Sequence, residues 1–146
     1  MKLLEYSIVV AADRKTTWET MLGSETYKVW TAPFCEGSYF EGSWELGQKI
    51  LFLSPGGSGM SSVIDENKRH EFISIKHIGF IKDGVEDTTS EALKNWAPAF
   101  EKYWFVETPL GTEIRVSLDV EENWADCMNA AWPKALETLK ELCEAK

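Results

Sequence analysis

The chain has 146 residues, a formal net charge of −9 and a sequence pI near 4.7, which is the size of one ordinary domain, and we predict a single domain over residues 1–146. Because nucleic acids and anionic membrane surfaces are bound mainly through basic side chains, this acidic balance argues against both partners. No apolar run approaches the roughly 18 residues that a spanning helix needs, so we expect no membrane insertion.

The cysteines and histidines do not form a recognisable ligand set. Cys35, Cys127 and Cys143 show no CxxC spacing, and neither His70 nor His77 has a cysteine at zinc-ligand spacing. We therefore expect reduced thiols, a cytoplasmic location, and no metal or other cofactor.

The first thirty residues predict one strand followed by two short helices. Leu4–Val10 is rich in β-branched residues, which favour a strand. Asp13 can cap a first helix that Gly23 closes, and Ser24 can cap a second helix that runs to Trp30.

From residue 38 onward the chain predicts antiparallel strands joined by short turns. In order, the predicted strands are Ser38–Trp44, Lys49–Leu53, Met60–Asp65, Glu71–Ile81, Phe100–Thr108 and Thr112–Val120. The polar segment Lys82–Asn95 interrupts them, with a helical turn expected within Ser90–Trp96. Its carboxylates Glu86, Asp87 and Glu91 are interpreted as a solvated group at the rim of any pocket.

Period-two alternation along these strands predicts which side chains point into the core. The inward set is Ile50, Phe52, Met60, Ser62, Ile64, Ile73, Ile75, His77, Ile114, Val116 and Leu118. Ser74 and Lys76 then face solvent. The strand Phe100–Thr108 is apolar on both faces, and there we favour Tyr103 and Phe105 inward.

The C-terminal segment Asn123–Glu144 predicts an amphipathic helix lying across the sheet. Its apolar residues recur at three- and four-residue spacing, and they are Trp124, Met128, Ala131, Trp132, Ala135, Leu139 and Leu142. Asn123 with Asp126 predicts a capping pair at its start. Pro133 lacks the N–H that would bond the Asn129 carbonyl, so we expect a kink there.

Several motifs in this order carry a resemblance to a known family. They are Ile8-Val9-Val10-Ala11-Ala12 leading into the helix with Trp18, then Trp30, Phe40-Glu41-Gly42-Ser43-Trp44-Glu45-Leu46-Gly47, Gly111-Thr112-Glu113-Ile114, and the closing helix with Trp132, Leu136 and Leu139. The chain resembles the START-like (SRPBCC) superfamily, which includes the birch-pollen allergens. Within it, the chain is most similar to the family of the activator of heat-shock protein 90 ATPase.

That resemblance implies an α+β helix-grip fold: a curved antiparallel sheet wrapped around a long C-terminal helix, with two short helices after the first strand. It also implies an apolar cavity between sheet and helix. Members include lipid carriers, cyclases and co-chaperone domains, so the fold leaves the activity open.

We predict that a small hydrophobic molecule binds in this cavity, with His77 as its polar anchor. The predicted pocket residues are Trp44, Phe52, Ile64, Ile75, His77, Tyr103, Phe105, Trp124, Met128 and Trp132. The alternative is a filled core in which His77 is satisfied by hydrogen bonds.

Two other functions stay open at this point. The resemblance implies heat-shock protein 90 as a partner whose ATPase the protein would stimulate. An enzyme, such as a cyclase or hydrolase using His77 or Tyr103 as acid or base, is disfavoured because the sequence shows no nucleophile–base pair and no metal set. The sequence does not indicate an oligomeric state.

Overall fold

The structure is a computed structural model that describes residues 1–94 and 96–145. Its strands are β1 (Lys2–Val10), β2 (Tyr39–Gly42), β3 (Lys49–Leu53), β4 (Gly59–Lys68), β5 (Phe72–Lys82), β6 (Val85–Asp87), β7 (Ala99–Thr108) and β8 (Gly111–Val120). Its helices are α1 (Arg14–Leu22), α2 (Ser24–Trp30) and α3 (Ala125–Glu144), with 3-10 turns at Glu91–Leu93 and Glu122–Trp124.

Within the described residues, eight strands form one antiparallel sheet. The strand order is β1-β8-β7-β5-β4-β3-β2, and β6 pairs with β5 beside this path. Helix α3 packs against β1 and against both short helices, so the core lies between the inner face of the sheet and the three helices. This is the helix-grip architecture that the sequence predicted, with its two short helices after the first strand, and the fold prediction is confirmed.

The starts of the helices confirm one of the capping predictions and contradict the others. Asp13 caps α1 as predicted, because its Oδ1 accepts a hydrogen bond from the Thr16 N–H at 2.7 Å. The prediction for Ser24 is wrong: Gly23 holds the cap position with extended backbone, and Ser24 is already helical.

The predicted capping pair of α3 is also wrong, for a related reason. Asn123 lies inside the 3-10 turn that leads into the helix, so Trp124, with helical backbone angles, occupies the cap position and makes no side-chain capping bond. A side-chain cap needs extended backbone at the cap position, and Trp124 has helical angles there. Helix α3 is assigned without interruption across Pro133, and the kink expected there stays a prediction.

Alternation assigns the inner face of the sheet correctly in most places. The buried inward residues include Ile50, Phe52, Ser62, Ile64, Ile73, Ile75, His77, Tyr103, Phe105, Ile114, Val116 and Leu118. Ser74 was wrongly expected to face solvent. It lies on the outer face but is buried, because β5 is a central strand and Ser74 stands between Glu66 of β4 and Lys102 of β7.

A β-bulge in β5 changes the alternation at its far end. Ser62 pairs with His77 while Ser61 pairs with Gly79, so Ile78 has no partner on β4. One extra residue shifts the side-chain order by one position, and Phe80 therefore faces the same side as His77. On the other edge of β5, the partner strand changes at the same point. Strand β7 pairs with β5 as far as His77, and β6 pairs with it from Phe80 onward.

Gly59 opens β4 where two backbones approach very closely. A Cβ on this residue would fall far inside contact distance of the Phe52 carbonyl oxygen on β3. Since backbone must move to make room, we expect Gly59→Ala to lower the free energy of unfolding by about 2 kcal/mol in urea titrations. As a control, Gly84→Ala meets only open space and bears only the cost of its left-handed backbone, about 1 kcal/mol. Equal losses would contradict the close-approach explanation.

Candidate functional site: an aromatic cavity with a polar cluster

A cavity of about 450 Å³ lies between the inner face of the sheet and helices α2 and α3. Most of its lining is apolar or aromatic: Tyr27, Trp30, Phe34, Phe52, Leu53, Met60, Phe80, Trp96, Leu118, Val120, Trp124, Met128 and Trp132. Trp124 is 54% exposed although it lines the cavity, which places it at the mouth. The cavity is therefore open to solvent beside the start of α3.

Four connected side chains, called here the polar cluster, are Ser62, His77, Glu101 and Tyr103, and the last three of them line the cavity. His77 is only 4% exposed, and its Nδ1 lies 2.6 Å from the Ser62 Oγ. Its Nε2 lies 3.0 Å from one oxygen of Glu101, and the other oxygen accepts a hydrogen bond from the Tyr103 hydroxyl. Every titratable member is thus held by another member.

The hydrogen-bond pattern of the polar cluster favours one tautomer of His77. If the Ser62 hydroxyl donates to Nδ1 and the Nε2–H donates to Glu101, both ring nitrogens are satisfied in a neutral imidazole. Glu101 then remains a carboxylate that accepts from two neutral donors. Its side chain is 15% exposed and lines the cavity.

The sheet brings these four residues together through the pairing of three adjacent strands. Ser62 on β4 stands opposite His77 on β5, and His77 stands opposite Ala99 on β7. Glu101 and Tyr103 follow Ala99 on the same face of β7, because residues two apart share a face. The polar cluster is therefore a row across the inner surface of the sheet.

The segment between β6 and β7 adds the ring that closes this side of the cavity. Trp96 stacks on Phe80, with ring centroids 4.5 Å apart, and on His77 at 5.9 Å. The contact with Phe80 depends on the bulge at Ile78, which turns Phe80 inward beside His77. Stacked rings fix the imidazole plane and exclude water from one side of it.

Burial controls the protonation of the two phenols near the polar cluster. Loss of solvation raises the pKa of Tyr103 well above its ordinary value, and the charge of Glu101 adds to the effect. Burial is likewise the main cause that raises the pKa of Tyr27, with a further contribution from Glu101. Both hydroxyls are therefore protonated at neutral pH, and Tyr103 is available as a donor to Glu101.

These raised pKa values predict a loss of stability at alkaline pH. In the unfolded chain the two tyrosines ionise near 10.0, whereas in the folded protein they stay protonated to higher pH. Their contribution is complete below pH 10 and falls as pH rises above it, by up to about 1.4 kcal/mol per pH unit for each tyrosine. Urea titrations across this range should show a shallower fall for Tyr27→Phe/Tyr103→Phe. An unchanged slope in that variant would contradict the assignment.

Six of the ten predicted pocket residues line the cavity: Phe52, His77, Tyr103, Trp124, Met128 and Trp132. The other four do not. Ile64, Ile75 and Phe105 face inward but are packed into the filled part of the core, where Phe105 contacts Trp18 at 5.2 Å between ring centroids. Trp44 follows β2 and packs against other rings instead of facing the cavity. Whether the six bind a ligand stays a prediction.

Sequence reasoning missed Glu101, Phe80, Met60 and Trp96 as cavity residues. Glu101 carried a usable signal, because the alternation that places Tyr103 inward also places Glu101 inward. Phe80 and Trp96 carried none, since one depends on a bulge and the other lies outside any periodic segment.

The acidic group of residues 86–91 does not form the predicted rim. Glu86 instead ties β6 to its neighbours, accepting from Lys49 Nζ and from the Ser61 hydroxyl, and these bonds lower its pKa. Asp87 accepts from two backbone N–H groups that follow it. The carboxylates in this group thus organise the hairpin after β5, while Asn95, the last residue of the predicted polar segment, lies outside the described residues.

The row Ser62–His77–Glu101 combines the residue types of a hydrolase triad, but its geometry differs from one. Ser62 is fully buried and does not line the cavity, so its hydroxyl is not placed to attack a bound molecule. Among the described residues, no group of three His, Cys, Asp or Glu side chains is arranged to hold a metal ion. In the same part of the chain, no helix has the length and apolar character required to cross a bilayer.

No family model and no curated protein matches the chain. Solved structures do match it over nearly its whole length. Protein MLL2253 from Mesorhizobium loti has 10% identity and a TM-score of 0.77, covering 99% of this chain and 98% of that one. The Aha1 dimer from Colwellia psychrerythraea has 16% identity and a TM-score of 0.73, covering 99% and 97%.

The AHSA1-like protein from Aeromonas hydrophila has 12% identity and a TM-score of 0.67, covering 99% of this chain and 93% of that one. Such identities show a common fold and carry no activity across. The described elements, with α3 packed on the sheet after two short helices, agree with that likeness. The chain therefore has the same helix-grip fold as these solved structures, which include an AHSA1-like protein.

Proposed function

We propose that the protein binds a small hydrophobic molecule in the cavity between the sheet and α3. The observation that carries the proposal is an open cavity of about 450 Å³ with aromatic walls and one polar cluster. Sites for small molecules typically have volumes of roughly 300–1,000 Å³, apolar walls and a few polar groups that fix orientation. In this role the apolar walls bury the hydrophobic part of the ligand, and Glu101, Tyr103 and His77 orient it.

Two features support binding over a completely filled core. Trp124 and Met128 lie at the start of α3, where they wall the cavity on the side open to solvent. The second half of α3 has a different task, since Leu136, Leu139 and Cys143 are buried in the core. In this proposal the start of α3 contacts the ligand, while its last turns stabilise the core.

Stimulation of the heat-shock protein 90 ATPase and catalysis by His77 or Tyr103 remain predictions. No contact among the described residues favours either of them. Ligand binding is the function that the geometry supports best.

Fluorescence titration with the neutral probe Nile red tests the proposal. The wild-type protein should bind the dye with saturable enhancement, and Met128→Trp should weaken binding by about tenfold because the larger ring fills the cavity. Ala130→Trp adds the same ring to an exposed position of the same helix and should bind the dye like wild type. Absence of saturable binding, or equal affinity in Met128→Trp, would overturn the proposal.

Native mass spectrometry of protein purified from its own cells would then identify the natural occupant. A library of lipids and aromatic compounds extends the search to weaker ligands that purification removes. A co-purified small molecule that is absent from Met128→Trp would support the cavity as its site.

A further inference from the structure

We infer that the preferred occupant of the cavity is an organic cation, an apolar molecule that carries a basic amine, and that fatty acids and other anions are excluded. This inference rests on the proposed function and names the ligand class of the same cavity. It comes from the charges that line the cavity and from the unused capacity of one carboxylate.

The charge on the cavity wall has one sign. Glu101, Asp119 and Glu121 line the cavity, and among the described lining residues there is no lysine or arginine. A carboxylate ligand would leave water to meet these groups with no cation to compensate it, which is strongly unfavourable. The same wall attracts a cation.

Glu101 is the group of this set that has capacity to bind a ligand. It accepts one hydrogen bond from His77 and one from Tyr103, whereas a carboxylate offers about four lone-pair positions. These two bonds orient the carboxylate and leave part of it open to a ligand. Asp119 is committed differently, because its Oδ2 accepts from the Phe100 N–H at 3.0 Å and so fixes the start of β7.

The rings around Glu101 suit a cation as well as an apolar body. Phe52 and Trp96 flank His77 with ring centroids 5.8 and 5.9 Å away, and Tyr27 lies close enough for the charge of Glu101 to contribute to its raised pKa. Aromatic faces attract ammonium groups, most strongly where water is excluded. Rings close to the polar cluster keep water away from Glu101, which strengthens the attraction of its carboxylate for an amine.

Matched ligands that differ only in charge test the inference. A methoxynaphthalene skeleton and a linear dodecyl skeleton would each be used with an aminomethyl, a hydroxymethyl and a carboxylate group, at pH 7, by isothermal titration calorimetry. We expect the amine of at least one skeleton to bind about tenfold or more tightly than its alcohol, and the acid to bind weakest. Equal affinities, or tightest binding by the acid, would overturn the inference while leaving the proposed function intact.

Failure of the proposed function has a different signature, in which neither Nile red nor any member of the two ligand sets binds. That result would overturn both proposals together.

Glu101→Gln locates the charge effect. The amide is nearly isosteric and can still accept from Tyr103, so we expect the ratio of amine affinity to alcohol affinity to fall to about one, whatever the change in the affinity of the alcohol itself. Glu107→Gln makes the same change in net charge on the same strand but outside this cavity, and it should keep the preference for the amine. Loss of the preference in both variants would assign it to overall charge and overturn the role of Glu101.

Discussion

Phe105→Ala is expected to lower the free energy of unfolding by about 3–5 kcal/mol, as measured by urea denaturation. The ring is 2% exposed and packs edge-on against Trp18, so its removal leaves a void between the sheet and α1 that the surroundings fill only in part. Ligand binding should survive wherever the variant remains folded, because Phe105 does not line the cavity.

Phe100→Ala is the matched control on the same strand. Phe100 is half-buried on the opposite face of β7, where Lys102 lies over its ring, and its loss leaves no enclosed void. We expect a clearly smaller decrease in stability. Similar losses in the two variants would mean that the core does not lie where the structure places it.

His77→Leu is expected to cost about 3 kcal/mol of stability, because it removes a hydrogen-bond partner from a largely buried carboxylate. The leucine fills much of the space of the imidazole, so the loss reflects the hydrogen bond that Glu101 loses and the unpaired hydroxyl of Ser62 more than a cavity.

A double-mutant cycle separates these contributions. In a Glu101→Gln background no buried charge remains, so His77→Leu should cost at least about 1 kcal/mol less than in the wild type. Urea denaturation of the wild type, both single variants and the double variant gives the coupling energy. Strict additivity would show that His77 and Glu101 do not stabilise each other.

Much of the fold could be predicted from residue patterns because these patterns are local. The alternation in β8 and the spacing of apolar residues in α3 report directly on which side faces the core, and the short turns allow only antiparallel neighbours. The start of helix α3 was harder to predict. Asn123 has the right chemistry for a cap, but a side chain caps only if the backbone is extended there, and the preceding 3-10 turn prevents it.

The cavity was harder to predict than the core, since both are lined by the same residue types. Ile64 and Ile75 point the same way as His77, and only the packing distinguishes a filled layer from an open one. Glu101 could have been found by extending the alternation that placed Tyr103. The short contact between Trp96 and Phe80 could not, because it joins a non-periodic segment to a residue whose direction depends on an irregular backbone.

The extra residue at Ile78 also has a consequence for how this site can change between related proteins. His77 and Phe80 are three residues apart, so strict alternation would place them on opposite faces, and the bulge is what brings them to the same face. A deletion of Ile78 would leave them two residues apart, so Phe80 would still face inward and keep its stacking contact with Trp96. Relatives with a one-residue gap between the counterparts of His77 and Phe80 should therefore keep this wall with a regular strand in place of the bulge.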